Sequence, residues 1–172
     1  MENTKMRRAD RALSREAAFE AIDRSTFGTV SMCAPDGTPY AVALNLVRDG
    51  GKLYYHAAYE GLKGDLLRQN PKVCVLFVDG AEIDEPGLTT HYASAVVRGT
   101  ARELTDLEEK RAALRLLCAR FAPSIPQEQI ACIETGPAHT AVWCIDIESV
   151  TGKHNTPVSY THLRAHETRR HL

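Results

Sequence analysis

Residues 27–57 decide the fold, and they read FGTVSMCAPDGTPYAVALNLVRDGGKLYYHA. Three short runs rich in β-branched and aromatic residues are separated here by two clusters of turn-forming residues. The first cluster, Ala34–Pro39, contains two prolines, which fix φ, and a glycine, which tolerates positive φ. The second cluster, Asp49–Gly51, is typical of a tight hairpin. The pattern therefore predicts an antiparallel meander with the strands Phe27–Cys33, Tyr40–Arg48 and Lys52–Ala57.

Three further strands and four helices are predicted outside this meander. The strand Val73–Val78 is apolar at every position, which predicts burial on both faces. A polar loop is predicted after it, over Asp79–Leu88. The other strands are Tyr92–Leu104 and Thr140–Val150. The predicted helices are Ser14–Arg24, Gly61–Gln69, a long helix that opens at the capping box Thr105–Glu108 and stops at Pro123, and a weaker helix over Gln127–Glu134.

Six strands with tight connections and few helices predict a mainly β fold, with α-helices flanking an antiparallel barrel. Closure of the sheet removes the exposed strand edges that a small sheet must otherwise protect. The predicted domain spans residues 1–153. Residues 154–172 lack apolar periodicity and are dense in histidine and arginine, so we interpret them as a non-native or disordered tail.

Composition excludes several classes of function. The 172 residues carry a formal net charge of −1, which gives no overall attraction to nucleic acid or to an anionic membrane. The N-terminus lacks the apolar segment of a secretory signal, and no run of about 18 apolar residues is present. The five cysteines include no C-x-x-C pair, which favours reduced thiols over a zinc site or a redox motif. We therefore expect a cytoplasmic protein without a bound metal.

A candidate anion site lies where the strand that ends near Ala57 meets the helix that begins near Gly61. Such a turn exposes backbone N–H groups at the positive end of a helix dipole. Lys63, in the first helical turn, places a cation where the dipole disfavours one unless an anion is bound. The residues alone leave two alternatives open: Lys63 as a solvated surface lysine, and His56 as an ordinary histidine of the core or its rim.

The chain from about Met6 to Lys153 resembles the pyridoxamine 5′-phosphate oxidase superfamily and, within it, the nitroimidazole-resistance proteins. Residues 54–65 resemble the flavin-binding signature of that superfamily, Tyr-Tyr-His-x-Ala-x-x-Gly-x-Lys-x-Asp. Residues 39–45 resemble its Pro-Tyr-x-x-Pro strand, with Ala43 in place of the second proline. Similar motifs occupy residues 88–99, 109–114 and 150–153. The resemblance implies a six-stranded, FMN-binding split β-barrel.

The resemblance also implies a role for each candidate residue. Lys63 neutralises the FMN phosphate, with help from backbone groups near His56, Ala57 and Ala58. His56 is the candidate catalytic residue, through contact with the substrate. Asn45 offers its amide to the polar edge of the isoalloxazine ring. The other implied cofactor contacts are Val42, Ala43, Leu44, Tyr55, Tyr92, Ser94 and Trp143. For Trp143 two alternatives stay open: it contacts the flavin ring from the second subunit, or it is an aromatic residue of the core or the interface.

The family fold places FMN across the two-fold interface of a homodimer. The implied function is an FMN-dependent oxidoreductase that moves electrons from NAD(P)H to a small acceptor such as a 5-nitroimidazole. No G-x-G-x-x-G loop is present, so a nicotinamide would approach the flavin without a Rossmann domain. The alternative is a module that binds or senses flavin, haem or a deazaflavin without turnover. Pyridoxamine-phosphate oxidase activity itself is disfavoured, because the arginine-rich C-terminal substrate segment of that enzyme has no match here.

Overall fold

The computed structural model describes residues 6–126 and 140–155. Within these residues, eight strands and three helices follow a short 3₁₀ turn at Ala9–Arg11. The strands are β1 (Ala12–Leu13), β2 (Gly28–Cys33), β3 (Pro39–Leu44), β4 (Val47–Asp49), β5 (Lys52–Ala57), β6 (Lys72–Asp84), β7 (Thr89–Glu103) and β8 (Ala141–Asn155). The helices are α1 (Arg15–Arg24), α2 (Leu62–Gln69) and α3 (Leu107–Phe121).

The strands form one sheet in the order β3–β2–β6–β7–β8–β5–β4, and β1 pairs with β8 outside this path. The pairings of β1 with β8, β2 with β3, β4 with β5 and β5 with β8 are antiparallel. In the last of these pairs, Tyr55 lies opposite Trp143 and His56 lies opposite Val142. The predicted fold class is confirmed: the chain is mainly β, with an antiparallel sheet and flanking helices, as a split barrel requires.

The predicted strand Tyr40–Arg48 is interrupted at Asn45 and Leu46. β3 pairs with β2, whereas β4 pairs with β5, and β3 and β4 stand at opposite ends of the strand order. The Asn45 side-chain amide donates to the Thr26 carbonyl at 2.9 Å, and Leu46 is buried, so a hydrogen bond and burial together fix the break. The prediction of one strand was wrong because residue alternation does not reveal a change of pairing partner.

The predicted loop over Asp79–Leu88 was also wrong for most of its length. β6 continues to Asp84, and only residues 85–88 form the turn into β7. Hydrogen bonds to a neighbouring strand satisfy the backbone groups of this extension. The extension can therefore form a strand although its side chains do not pack against a core. Polarity therefore did not distinguish an exposed strand from a loop.

The strand segment Val73–Val78 is buried on one face rather than on both. Val73, Val75 and Phe77 are buried, whereas Leu76 is 41% exposed and Val78 is 46% exposed. Side chains along a strand point alternately to its two faces. The second face of β6 is therefore an apolar surface in the single chain.

Helix α3 begins one residue later than the capping box predicts. The Asp106 carboxylate accepts a hydrogen bond from the Glu109 N–H at 2.9 Å, so Asp106, and not Thr105, is the N-cap. A carboxylate is favoured there because it satisfies a free N–H and interacts well with the helix dipole. Along α3, Leu114 and Leu117 are buried, whereas Leu107 is exposed.

By its internal contacts the chain divides into two compact units. The larger unit comprises residues 26–76 and 96–150. In it, α3 packs against β4 and β5. Its helix-side core cluster contains Val47, Leu104, Ala113, Leu114, Leu117, Val142 and Cys144.

The smaller unit comprises residues 1–25, 77–95 and 151–172. In its described part, α1 and β1 approach β8 closely at Gly152, where an added Cβ would lie 2.8 Å from the Cβ atoms of Ala18 and Leu13. β8 continues to Asn155, whose amide donates to Thr89 and Thr90. The helix predicted over Gln127–Glu134 and the predicted tail from residue 156 onward lie outside the described residues.

The described residues contain free thiols, and they contain neither a membrane-spanning helix nor a metal-binding cluster. Cys33, Cys74, Cys118 and Cys144 are free thiols. No helix in residues 6–126 or 140–155 combines the length and the apolar character needed to span a membrane. The same residues contain no cluster of three histidine, cysteine, aspartate or glutamate side chains that could bind a metal ion.

Candidate functional site

The turn between β5 and α2 presents backbone N–H groups. Gly61, the N-cap of α2, has a φ of 130°, a conformation that strongly favours glycine. The Asp65 N–H donates to the Gly61 carbonyl, so the amides of residues 62–64 have no acceptor within the helix. Ala57 and Ala58, at the end of β5, add only small side chains. This combination suits an anion at the start of α2.

Lys63 supplies a cation in the first turn of that helix. Its side chain is half-buried, and its ammonium group has no hydrogen bond or ion pair within residues 6–126 and 140–155. Burial lowers the pKa of Lys63. Nζ lies 5.3 Å from the centroid of the Tyr55 ring. A partly desolvated ammonium group without a carboxylate partner is a group that a bound anion would stabilise.

Tyr55 and Trp143 form a stacked pair beside Lys63. Their rings are almost parallel, at 4°, with centroids 6.4 Å apart, and the two residues are only 1% and 2% exposed. The Arg68 guanidinium carbon lies 5.8 Å from the Trp143 ring centroid, and the guanidinium group binds Glu103 at 2.9 Å. A cation therefore lies over each ring, Lys63 over Tyr55 and Arg68 over Trp143. Of the two, only Arg68 is neutralised by a carboxylate.

The Tyr55 hydroxyl is buried and has no hydrogen-bond partner within the described residues. Burial, with the negative charge of Glu103, raises the pKa of Tyr55, so the hydroxyl keeps its proton at physiological pH. A buried hydroxyl left without a partner costs free energy. This group remains an unsatisfied donor next to the stacked rings.

His56 lies at the end of β5, on the face of the strand opposite to Tyr55, because side chains alternate along a strand. It is exposed to solvent. The structure thus brings Lys63, Tyr55 and Trp143 together, and it leaves His56 accessible on the other face of β5. Trp143 is covered by residues of its own chain, and its contact with a cofactor stays a prediction.

The residues expected around a flavin ring, Val42–Asn45, lie on β3 and directly after it. Ala43 and Asn45 are exposed, whereas Val42 and Leu44 are half-buried. The amide nitrogen of Asn45 is engaged by the Thr26 carbonyl. β3 is hydrogen-bonded to β2 and not to β5 or β8, so strand pairing does not join these residues to the Lys63 cluster.

Tyr92 and Ser94 lie on β7, in the smaller unit. Both are half-buried, and the Ser94 hydroxyl donates to the Lys153 carbonyl at 3.3 Å. Their role as cofactor contacts stays a prediction.

Sequence reasoning missed three residues that hold the turn before α2. Arg68 donates to the Tyr59 backbone carbonyl at 3.3 Å, and the buried Lys110 ammonium donates to the Tyr59 hydroxyl at 3.1 Å. Arg68 also forms an ion pair with Asp65, three residues earlier on α2, at 3.3 Å, and this spacing is the one local signal that could have found Arg68. The contact between Lys110 and Tyr59 joins residues 51 positions apart, a separation that no local pattern reveals.

Comparison with known families decides the classification of the chain. The family model for pyridoxamine 5′-phosphate oxidase matches residues 14–154. The chain belongs to this family. The match includes β2–β7, their connecting helices and all of β8 except Asn155, so the family relationship covers the candidate site as well as the fold.

Members of the same structural class appear among solved structures. A protein provisionally assigned to 5-nitroimidazole antibiotic resistance, from Bacteroides thetaiotaomicron VPI-5482, is 25% identical, with a TM-score of 0.73, over 83% of this chain and 86% of that one. An FAD-binding protein from Mesorhizobium loti is 27% identical, with a TM-score of 0.63, over 85% and 98%. A protein from Mycobacterium smegmatis that binds FAD and haem shares the fold, at 23% identity and a TM-score of 0.72, over 84% and 72%. Among curated proteins, no sequence matches the chain.

Proposed function

We propose that the protein binds FMN, with the phosphate held by Lys63 and by the backbone N–H groups at the start of α2. One observation carries this proposal: the half-buried Lys63 ammonium lacks an anionic partner within the described residues, and burial lowers its pKa. A phosphate dianion supplies the missing charge, and charge-assisted hydrogen bonds are strong in a partly dry site. Ala57 and Ala58 leave room for the phosphate beside the backbone.

Family membership and the 27% identical FAD-binding protein support a flavin as the cofactor. FMN ends in the phosphate that the Lys63 site fits, which is why we propose it over FAD. For the isoalloxazine ring we propose contacts from Val42–Asn45, which belong to the same compact unit as Lys63. Ala43 and Asn45 are exposed and accessible to a ligand.

We propose that the protein is a homodimer with a flavin at the interface. The apolar face of β6 supports this proposal, because Leu76 and Val78 are 41% and 46% exposed in the single chain and the half-buried Cys74 lies on the same face. A second copy would remove this apolar surface from water at about 25 cal/mol per Å². An interface with two-fold symmetry gives two identical sites.

The proposed activity is transfer of electrons from NADH or NADPH to a small acceptor, for which a 5-nitroimidazole is the candidate. A bound flavin supplies the redox chemistry. Lys63 binds the phosphate and so fixes the position of the flavin, and the exposed His56 contacts the acceptor. The likeness to the Bacteroides protein supports the choice of acceptor.

Purification and a rapid-mixing experiment test this function. We expect a yellow protein that releases FMN on denaturation, with the flavin bleached by NADH or NADPH and reoxidised by a 5-nitroimidazole. Released FAD would correct the cofactor, and a Soret band would favour haem. A flavin that stays oxidised with both nicotinamides would contradict the reductase activity and favour a module that only binds or senses flavin.

A further inference from the structure

We infer that Tyr55 is a positioning residue for the phosphate site, because its ring holds the Lys63 ammonium in place without neutralising the positive charge. The inference rests on the proposed function and deepens it, since it explains how the cation stays available to a phosphate. The geometry that carries it is the distance of 5.3 Å between Nζ and the ring centroid. At this distance the negative face of an aromatic ring attracts a cation.

An aromatic ring and a carboxylate hold a cation in different ways. A carboxylate neutralises the cation and competes with an incoming phosphate, whereas a ring has no net charge and leaves the attraction to the phosphate intact. Helix α2 contains both arrangements. Arg68, over the Trp143 ring at 5.8 Å, is bound by Glu103 at 2.9 Å, and Lys63 has the ring alone within the described residues.

The ring of Tyr55 is itself buried and packed against a second ring. Tyr55 is 1% exposed, lies opposite Trp143 in the pairing of β5 with β8, and stacks on that indole at 4°. Its hydroxyl has no partner within residues 6–126 and 140–155. The ring is therefore the part of Tyr55 that contacts Lys63 and Trp143. A phenylalanine at position 55 keeps this ring and should preserve its role.

The test measures dissociation constants for FMN and for riboflavin, which lacks the phosphate. The ratio of the two constants isolates the contribution of the phosphate. Tyr55→Phe should keep the wild-type ratio within about two-fold. Tyr55→pentafluorophenylalanine keeps the ring shape but withdraws electron density from its face, and it should lower the preference for FMN by about three- to ten-fold. Tyr55→Leu should do the same.

Thermal unfolding and near-ultraviolet circular dichroism establish that each variant is folded. If the leucine variant does not fold, the comparison of phenylalanine with its fluorinated analogue decides the question. An unchanged FMN preference in the fluorinated variant would overturn the inference. An equal loss in Tyr55→Phe would overturn it too, because the hydroxyl would then be the functional group.

Lys63→Met tests the proposed function separately. If wild-type protein does not prefer FMN over riboflavin, or if Lys63→Met keeps the wild-type ratio, the phosphate assignment fails whatever the Tyr55 variants do. If Lys63→Met removes the preference and the fluorinated variant keeps it, only the role of the Tyr55 ring fails.

Discussion

Two cations on one short helix show how single residues set the chemistry of this site. Arg68 and Lys63 lie on α2, each over one ring of the Tyr55–Trp143 pair. Carboxylates of Asp65 and Glu103 bind Arg68, whereas Lys63 has no such partner within the described residues. Arg68 is therefore neutralised by carboxylates of its own chain, whereas Lys63 is available to bind a ligand.

Replacing Lys63 by methionine should weaken FMN binding. A charge-assisted bond contributes about 1.5–3 kcal/mol, so Lys63→Met should raise the dissociation constant roughly 10- to 150-fold. Fluorescence titration of FMN into flavin-free protein measures this change. Lys52→Met, which removes a lysine from β5, serves as the matched control and should bind as wild type does. Equal losses in both variants would assign the effect to net charge and contradict a specific site.

The lowered pKa of Lys63 predicts a pH dependence with a definite sign. Burial favours the neutral amine, so Lys63 loses its proton below the pH at which an exposed lysine does. FMN affinity should therefore fall as the pH rises through this pKa. In flavin-free protein the sign for stability is opposite, because the unfavourable burial of the ammonium group is relieved as the pH rises.

Titrations of FMN at pH 7 to 10 check this prediction, with riboflavin as the correction for titration of the ring itself. Lys63→Arg should abolish the dependence, since a guanidinium group stays charged over this range. A wild-type FMN preference that is constant to pH 10 would argue against a phosphate bound by this amine.

At the scale of elements, the start of α3 distinguishes two capping residues that are adjacent in sequence. Asp106→Ala should destabilise the protein by about 1 kcal/mol, because the Glu109 N–H loses its acceptor. Thr105→Ala should cost much less, as the threonine that the capping box places at the N-cap lies outside the cap. Chemical denaturation measures both variants. The reverse order of stabilities would restore the capping box as the start of α3.

The approach of α1 and β1 to β8 depends on the missing side chain of Gly152. A Cβ at this position would lie 2.8 Å from those of Ala18 and Leu13, so Gly152→Ala should destabilise the fold by about 1–3 kcal/mol through overpacking. Gly51→Ala, where no atom lies within 4 Å of an added Cβ, should leave the unfolding temperature nearly unchanged. A Gly152→Ala variant as stable as Gly51→Ala would show that the elements separate at little cost.

At the scale of the whole molecule, the apolar face of β6 connects assembly to cofactor binding. Leu76→Glu would bury a carboxylate in the proposed interface at a cost of about 3 kcal/mol, and it should yield a monomer that retains little FMN. Leu107→Glu, at an exposed leucine of α3, is the control. Analytical ultracentrifugation with flavin quantification distinguishes the two. A dimeric Leu76→Glu variant with full FMN content would place the interface elsewhere.

The sequence by itself determined the strand-rich fold, the hairpins and the position of Lys63 at the start of a helix, because these depend on local turn chemistry and short-range periodicity. The tertiary structure decided the break between β3 and β4, the extension of β6, and the partners of Lys63, Tyr55 and Trp143. Those features depend on contacts between residues far apart in the chain. Alternation along a strand shows which side chains share a face, and it does not show which strand, ring or ion comes to lie against that face.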